Sequence, residues 1–193
     1  MTSQTIQDLP DPTTVPTAGF LPRVAAYLVD QFVLLPVMYA IFYFMVERPL
    51  LYAVIVLWAL QTLYKPLTES LFGCTAGKWI MRLRVVDRGT HRKIGLNQSF
   101  VRYLPFAVSA FATLFVQIRM FEAPEFREVT DLELYVNYMS SFPLNQNLLV
   151  NICNNFPVFS AVWLIMDPWS RALHDRWAQT FVIRVVPAMS PPA

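Results

Sequence analysis

Charge is scarce in this chain. Lys, Arg, Asp and Glu make up 15% of its 193 residues, where a soluble domain carries about 25%. The net charge of +2 is too small to argue for a nucleic-acid partner. Two cysteines, Cys74 and Cys153, are too few for a disulfide framework, and the topology derived below sets them toward opposite membrane faces as free thiols. With two histidines in the whole sequence, no haem, flavin or zinc spacing is found, so no cofactor and no metal is expected. The first 21 residues, polar and Pro-rich, lack the basic start and short apolar core of a secretory signal. They read as a disordered tail, as do residues 188–193.

What is present instead is apolar: 55% of residues are hydrophobic, gathered in blocks. The block from Pro22 to Val46 is long enough to cross a hydrocarbon layer of roughly 30 Å as a helix. Asp30 lies well inside it, where an acidic group costs about 2.5–3.5 kcal/mol on insertion scales. Arg23 stands seven residues earlier on nearly the same stripe, but about 10 Å away along the axis, too far for a direct pair. Each therefore needs a partner from elsewhere in the chain. Further apolar runs follow at 50–72, 101–121 and 148–167, with Pro36 and Pro66 expected to kink the first two helices.

Between the second and third runs the pattern changes. Met81–Val86 alternates as a half-buried strand does, Ile94–Leu96 reads as a short return strand, and Asn97 as the cap of the next helix. Thr180–Val186 reads as one more strand. Residues 122–147 are polar and acidic, with an apolar period at Val129, Leu132, Val136 and Met139 that suggests a surface-lying amphipathic helix. The fold class expected is an all-α membrane protein, a four-helix transmembrane bundle with a small cytoplasmic β element.

Charge orients the bundle. Residues 65–102 hold eight basic against two acidic residues, and residues 119–147 hold two basic against five acidic. Basic loops remain on the cytoplasmic side, which places both termini inside and the acidic segment outside. Four spans return the chain to its starting side, so count and charge agree.

Three features together resemble the RDD family of bacterial membrane proteins: Arg23 opening the first helix with Asp30 inside it, the stretch ESLFGCTAGKWIMRLRVVD, and LHDRWAQTFVIRV near the end. The resemblance covers roughly residues 19–187, interrupted by 119–147. It implies that Arg23 and Asp30 are the family's arginine and first aspartate, and that Asp175 is the late aspartate. Glu69, Gly73, Thr75, Gly77, Lys78 and Arg102 would then be the glycine-lysine block and the basic start of the third helix. Cys74 and the long outer segment depart from the family's pattern. The resemblance also implies residence in a bacterial inner membrane and transport of an unidentified ligand, with ion/proton antiport for some members.

The residues leave alternatives open. Asp30 is a carrier of protons or cations, its carboxyl loading in a low dielectric, or a structural group salt-bridged to a basic side chain of another helix, or it faces a lipid head group. The polar cluster Arg23, Asp30, Glu69, Lys78, Arg102 and Asp175 is expected at the cytoplasmic half of the bundle, with Lys78 meeting a lipid phosphate or Asp30, and Asp175 tethering the tail. Arg82, Arg84, Arg88, Arg92 and Lys93 form a basic patch facing lipid, or secondarily an acidic protein. Gly73 to Lys78 is one residue short of a phosphate-binding loop and has Trp79 where Ser or Thr would hold magnesium, so that reading is rejected. His174 and Asp175 are neighbours expected to point apart, and no nucleophile frame accompanies them.

Two functions follow. One is a small transporter, exchanging cations against protons through Asp30 and requiring a homo-oligomer because four helices leave little room for a pathway. The other is a non-catalytic scaffold or assembly factor, docking a membrane-protein partner through the basic face and the outer acidic segment. Membrane lipids are expected as neighbours in both, and an enzyme is the least expected class.

Overall fold

The structure, a computed structural model, describes residues 17–185. The disorder expected of residues 1–16 and 188–193 lies outside the described residues, as does Val186 of the last expected strand. Four long helices dominate: α1 (Phe20–Met45), α2 (Leu51–Phe72), α4 (Leu96–Glu122) and α6 (Leu148–Met166). Each is long and apolar enough to cross a membrane. Each also carries one proline, at Pro36, Pro66, Pro105 and Pro157, inside an uninterrupted helical run. The Ser99 hydroxyl of α4 donates to the Pro66 carbonyl of α2 at 2.8 Å and ties the two helices. The main contacts run α1 to α2, α2 to α4 and α4 to α6.

At one end lie the short helices α3 (Ala76–Ile80) and α7 (Leu173–Trp177) and a two-stranded antiparallel sheet of β1 (Leu83–Asp87) and β2 (Thr180–Arg184), with Val85 opposite Val182. This sheet end has its own apolar core of Ala18, Ala26, Leu83, Val85, Ile94 and Val182. A second core, with Ile41, Met45, Val54, Val116 and Met120, joins the opposite halves of α1, α2 and α4. There the 3₁₀ turn Pro124–Glu128 and helix α5 (Leu132–Ser141) cover the bundle.

Several expected boundaries move. The first helix begins at Phe20 rather than Pro22. Residues 17–19 of the expected tail are ordered: Thr17 pairs with Ile183, and the Ala18 amide donates to the Val182 carbonyl at 2.8 Å. Strand β1 starts two residues late because Arg82 adopts a left-handed backbone (φ 55°) and turns the chain. Ile94–Leu96 is not a strand. Only Lys93 bridges to Val86, and Ile94 is buried as a core plug. Helix α4 therefore begins at Leu96 instead of Val101. Its cap is Gly95, whose amide donates to the Gln98 side chain at 3.2 Å, and not Asn97.

Helix α5 lies at the surface. Leu132, Val136 and Met139 are exposed, and of that stripe only Val129 is buried. Tyr135, Tyr138 and Phe142 pack instead against Phe126 and the bundle. Aromatic rings cover more apolar area than the aliphatic stripe, so they take the buried side.

Helix α3 lies against α1 so closely that a side chain at Gly77 has no room. A Cβ there would stand 1.9 Å from the Ala26 carbonyl oxygen. Gly77→Ala is expected to cost at least about 1–3 kcal/mol, the range for forced overpacking. Its thermal midpoint in detergent, followed by size-exclusion recovery, should fall by several degrees. An unchanged midpoint would contradict this packing.

Candidate functional site

Five of the six expected cluster residues form one chain of charge. Arg23 at the start of α1 donates to Asp175 of α7. Asp175 also meets Arg102 of α4 at 2.9 Å, Arg102 meets Glu69 of α2 at 3.1 Å, and Glu69 accepts from Lys78 of α3. The three inner members are almost wholly removed from solvent: Glu69 is 1% exposed, Arg102 2% and Asp175 0%. Four helical elements and the start of α1 are thus tied at one level.

Local structure aims each group. Ser170, in a left-handed turn (φ 49°), presents its carbonyl to Arg23 Nη2 at 2.6 Å, and Arg23 Nε donates to the Ala18 carbonyl at 2.9 Å. Asp175 sits in the first turn of α7 and accepts from the Ala172 amide at 3.1 Å, the place where a carboxylate serves exposed helix amides. Arg102 Nη1 also donates to the Thr180 hydroxyl at 2.8 Å, which brings β2 into the network. The loop before α7 is braced by a two-pronged pair, Arg171 Nε and Nη2 on the Asp167 carboxylate, both at 2.9 Å.

Asp30 stands apart from this chain. The carrier and salt-bridge readings supposed a free or ion-paired carboxylate, and among the described residues neither Lys78 nor another cation forms an ion pair with it. Its Oδ2 accepts from the Thr75 hydroxyl at 2.6 Å, and its Oδ1 accepts from the Gly77 amide at 2.7 Å and the Tyr64 hydroxyl at 3.1 Å. Thr75 caps α3, so Asp30 holds the start of α3 against α1 by neutral donors. Lys78 turns to Glu69.

Several site residues escaped the sequence reading. Lys65 is a half-buried cation of α2. It lies four residues before Glu69, the spacing of a helical ion pair, yet its ammonium rests 3.3 Å from the centre of the Phe106 ring instead. His174 and Asp175 do not point apart: Nε2 lies 3.5 Å from Oδ1. The Ser160 hydroxyl of α6 lies 2.8 Å from Nδ1 and accepts from the His174 amide at 3.3 Å. Assigned from these bonds, Ser160 donates to Nδ1 and the proton sits on Nε2, facing Asp175. The connectivity is that of a nucleophile triad, but the oxygen is already engaged and Ser160 is 0% exposed, so it joins α6 to α7. The spacing of Ser160 and His174, fourteen residues with a loop between, gave no signal of this contact.

A family model describing the RDD family matches residues 17–179. The chain belongs to the RDD family. Within the matched region Arg23 and Asp175 are joined directly, and Asp30 is the hydrogen-bonded anchor of α3. No curated protein and no solved structure matches the chain. In the basic patch of this RDD protein Arg82, Arg84, Arg92 and Lys93 are exposed and Arg88 is half-buried; Arg88 donates to the Gln179 side chain at 2.7 Å and Lys93 Nζ to the Leu71 carbonyl at 3.0 Å. Among the described residues no three His, Cys, Asp or Glu side chains gather as a metal site.

Burial lowers the His174 imidazole from its ordinary 6.5 to about 3, with the Asp175 charge opposing only in part. Burial by itself would raise the Asp175 carboxyl, but Arg102 and Arg23 outweigh it and hold it well below the usual carboxylate range. Both folded values lie below the unfolded ones. The unfolded chain therefore binds more protons, and stability is lost as pH falls, first below 6.5 for His174 and then below 3.8 for Asp175. The melting midpoint in detergent should fall from pH 7 to pH 4, and His174→Gln should flatten that slope. Asp175→Asn leaves two buried guanidiniums facing a neutral group, at a cost of about 3–5 kcal/mol. Chemical unfolding in detergent should show a loss of that size, and a change below about 1 kcal/mol would contradict the pairing.

Proposed function

We propose that this RDD protein is a non-catalytic membrane scaffold, with both termini cytoplasmic, that docks a partner through its exposed charged ends. The observation that carries this reading is the state of Asp30. Three donors surround it, two of them belonging to α3, so loading and releasing an ion there means undocking that helix. The remaining carboxylates of the cluster, Glu69 and Asp175, each bridge two cations. Groups held this way fix geometry, and buried ion pairs serve specificity rather than turnover.

The docking surfaces lie at the two ends. Glu122, Glu125, Glu128, Asp131 and Glu133 are all exposed on the outer segment, and only Glu122 has an ion pair among the described residues, with Arg119 at 2.8 Å. The excess of basic residues between 65 and 102 supports a cytoplasmic sheet end, and with it placement in a bacterial inner membrane.

One observation favours transport as a second reading. Lys65 has no carboxylate within ion-pairing distance among the described residues and rests only on the Phe106 ring. A cation- or proton-coupled pathway would run past that ammonium rather than through Asp30.

Flux through reconstituted vesicles separates the readings. Asp30→Asn keeps the acceptor oxygen and should leave ion and proton movement unchanged in protein that remains folded and inserted. Flux in the wild type that disappears in folded Asp30→Asn protein would defeat the scaffold. Flux that survives Asp30→Asn but is lost in Lys65→Met would establish the second reading.

A further inference from the structure

At the sheet end, α3 and β1 build a groove of about 410 Å³ lined by Phe72, Trp79, Arg82, Arg84 and Val185. Two arginines make one side of it. Leu83 and Val85 are buried in the core, whereas Arg84 of β1 and Arg82, in the turn just before the strand, are both exposed. Arg82 has a left-handed backbone, an arrangement that residues other than glycine rarely adopt. Arg84 lies across Gly73, where an added Cβ would come within 3.1 Å of its Nε. The glycine that ends α2 therefore also makes the seat for this guanidinium.

Neither arginine has a carboxylate partner among the described residues, whereas Arg23, Arg102, Arg119 and Arg171 are all paired. The carboxylate nearest in sequence, Asp87, is occupied by the Gly89 and Thr90 amides and by Gln98. The opposite wall is apolar and exposed: Phe72, in the last turn of α2, is 66% exposed and Trp79 is 74% exposed. Both stand where a membrane span gives way to the polar zone, the depth at which tryptophan anchors a protein in the headgroup layer.

We infer that this groove is a binding site for one anionic glycerophospholipid, with its phosphate between Arg82 and Arg84 and its acyl chains along Phe72 and Trp79. Guanidinium forks match phosphate oxygens in pairs, which lysine cannot do. The apolar wall commits the occupant to a lipid rather than to free phosphate, which would leave Phe72 and Trp79 bare. The site holds whether or not the protein docks a partner or moves an ion. It gives the broad basic surface one defined lipid position.

The test is native mass spectrometry of the full chain in neutral detergent, titrated with phosphatidylglycerol, phosphatidylcholine or inorganic phosphate. Wild type should retain one phosphatidylglycerol at about thirtyfold lower concentration than phosphatidylcholine, from the attraction of two charges. Arg82→Gln with Arg84→Gln should abolish that preference. Arg92→Gln with Arg176→Gln removes the same charge from the same end and should keep it. Where the double glutamine variant does not fold, Arg82→Lys with Arg84→Lys retains the charge, loses the fork and should weaken retention several-fold. Equal retention in the Arg82/Arg84 variants, equal loss in the Arg92/Arg176 control, or displacement by millimolar inorganic phosphate would each overturn the assignment.

Discussion

Arg102 touches two carboxylates that come from distant parts of the chain, Glu69 on α2 and Asp175 on α7. All three are removed from water, and an isolated charge in such a place costs several kcal/mol. They are tolerable only together, and only with Arg23 and Lys78 completing the row. That mutual need is what fixes the sheet end. Each helix is apolar enough to insert alone, but lipid supplies little drive for apolar helices to associate. Charged partners that cannot face lipid supply a reason to meet in one register.

Asp30 solves a similar difficulty by a different route. Its oxygens are satisfied by a hydroxyl, a phenol and a backbone amide, so the carboxylate sits within a span without an ion pair among the described residues. The amide belongs to the first turn of α3, where orphan donors and the helix dipole both favour an anion. Gly77 makes the approach feasible, since any side chain there would collide with α1. The same glycine-rich turn that invites comparison with a phosphate loop thus receives a carboxylate from its own chain. Ser160 and His174 likewise carry the geometry of a reactive pair and serve as a tie between α6 and α7.

The two ends of the bundle differ in kind. At the sheet end, polar bonds and short elements surround the charged row, and Arg82, Arg84, Phe72 and Trp79 are exposed. At the opposite end the core is apolar, and the 3₁₀ turn and α5 lie over it through Phe126, Tyr135 and Tyr138. The region matched to the RDD family spans both ends and carries Arg23, Asp30 and Asp175 together.

By itself the sequence determined the number of spans, their approximate ends, and which charged side chains cannot remain in lipid. Transfer free energies are local and nearly additive along a helix, so a run of apolar residues is read without knowing its neighbours. Pairing is not local. Nothing along the chain says that Lys78 takes Glu69 while Asp30 takes a hydroxyl and two N–H or O–H donors from α2 and α3. Nor does spacing reveal that Ser160 meets His174, that Lys65 leaves Glu69 for a ring, or that α5 buries its aromatic face. Those outcomes depend on which groups arrive at one depth when the helices pack, and the penalty for an unsatisfied buried group selects among them. Only the tertiary structure made that selection.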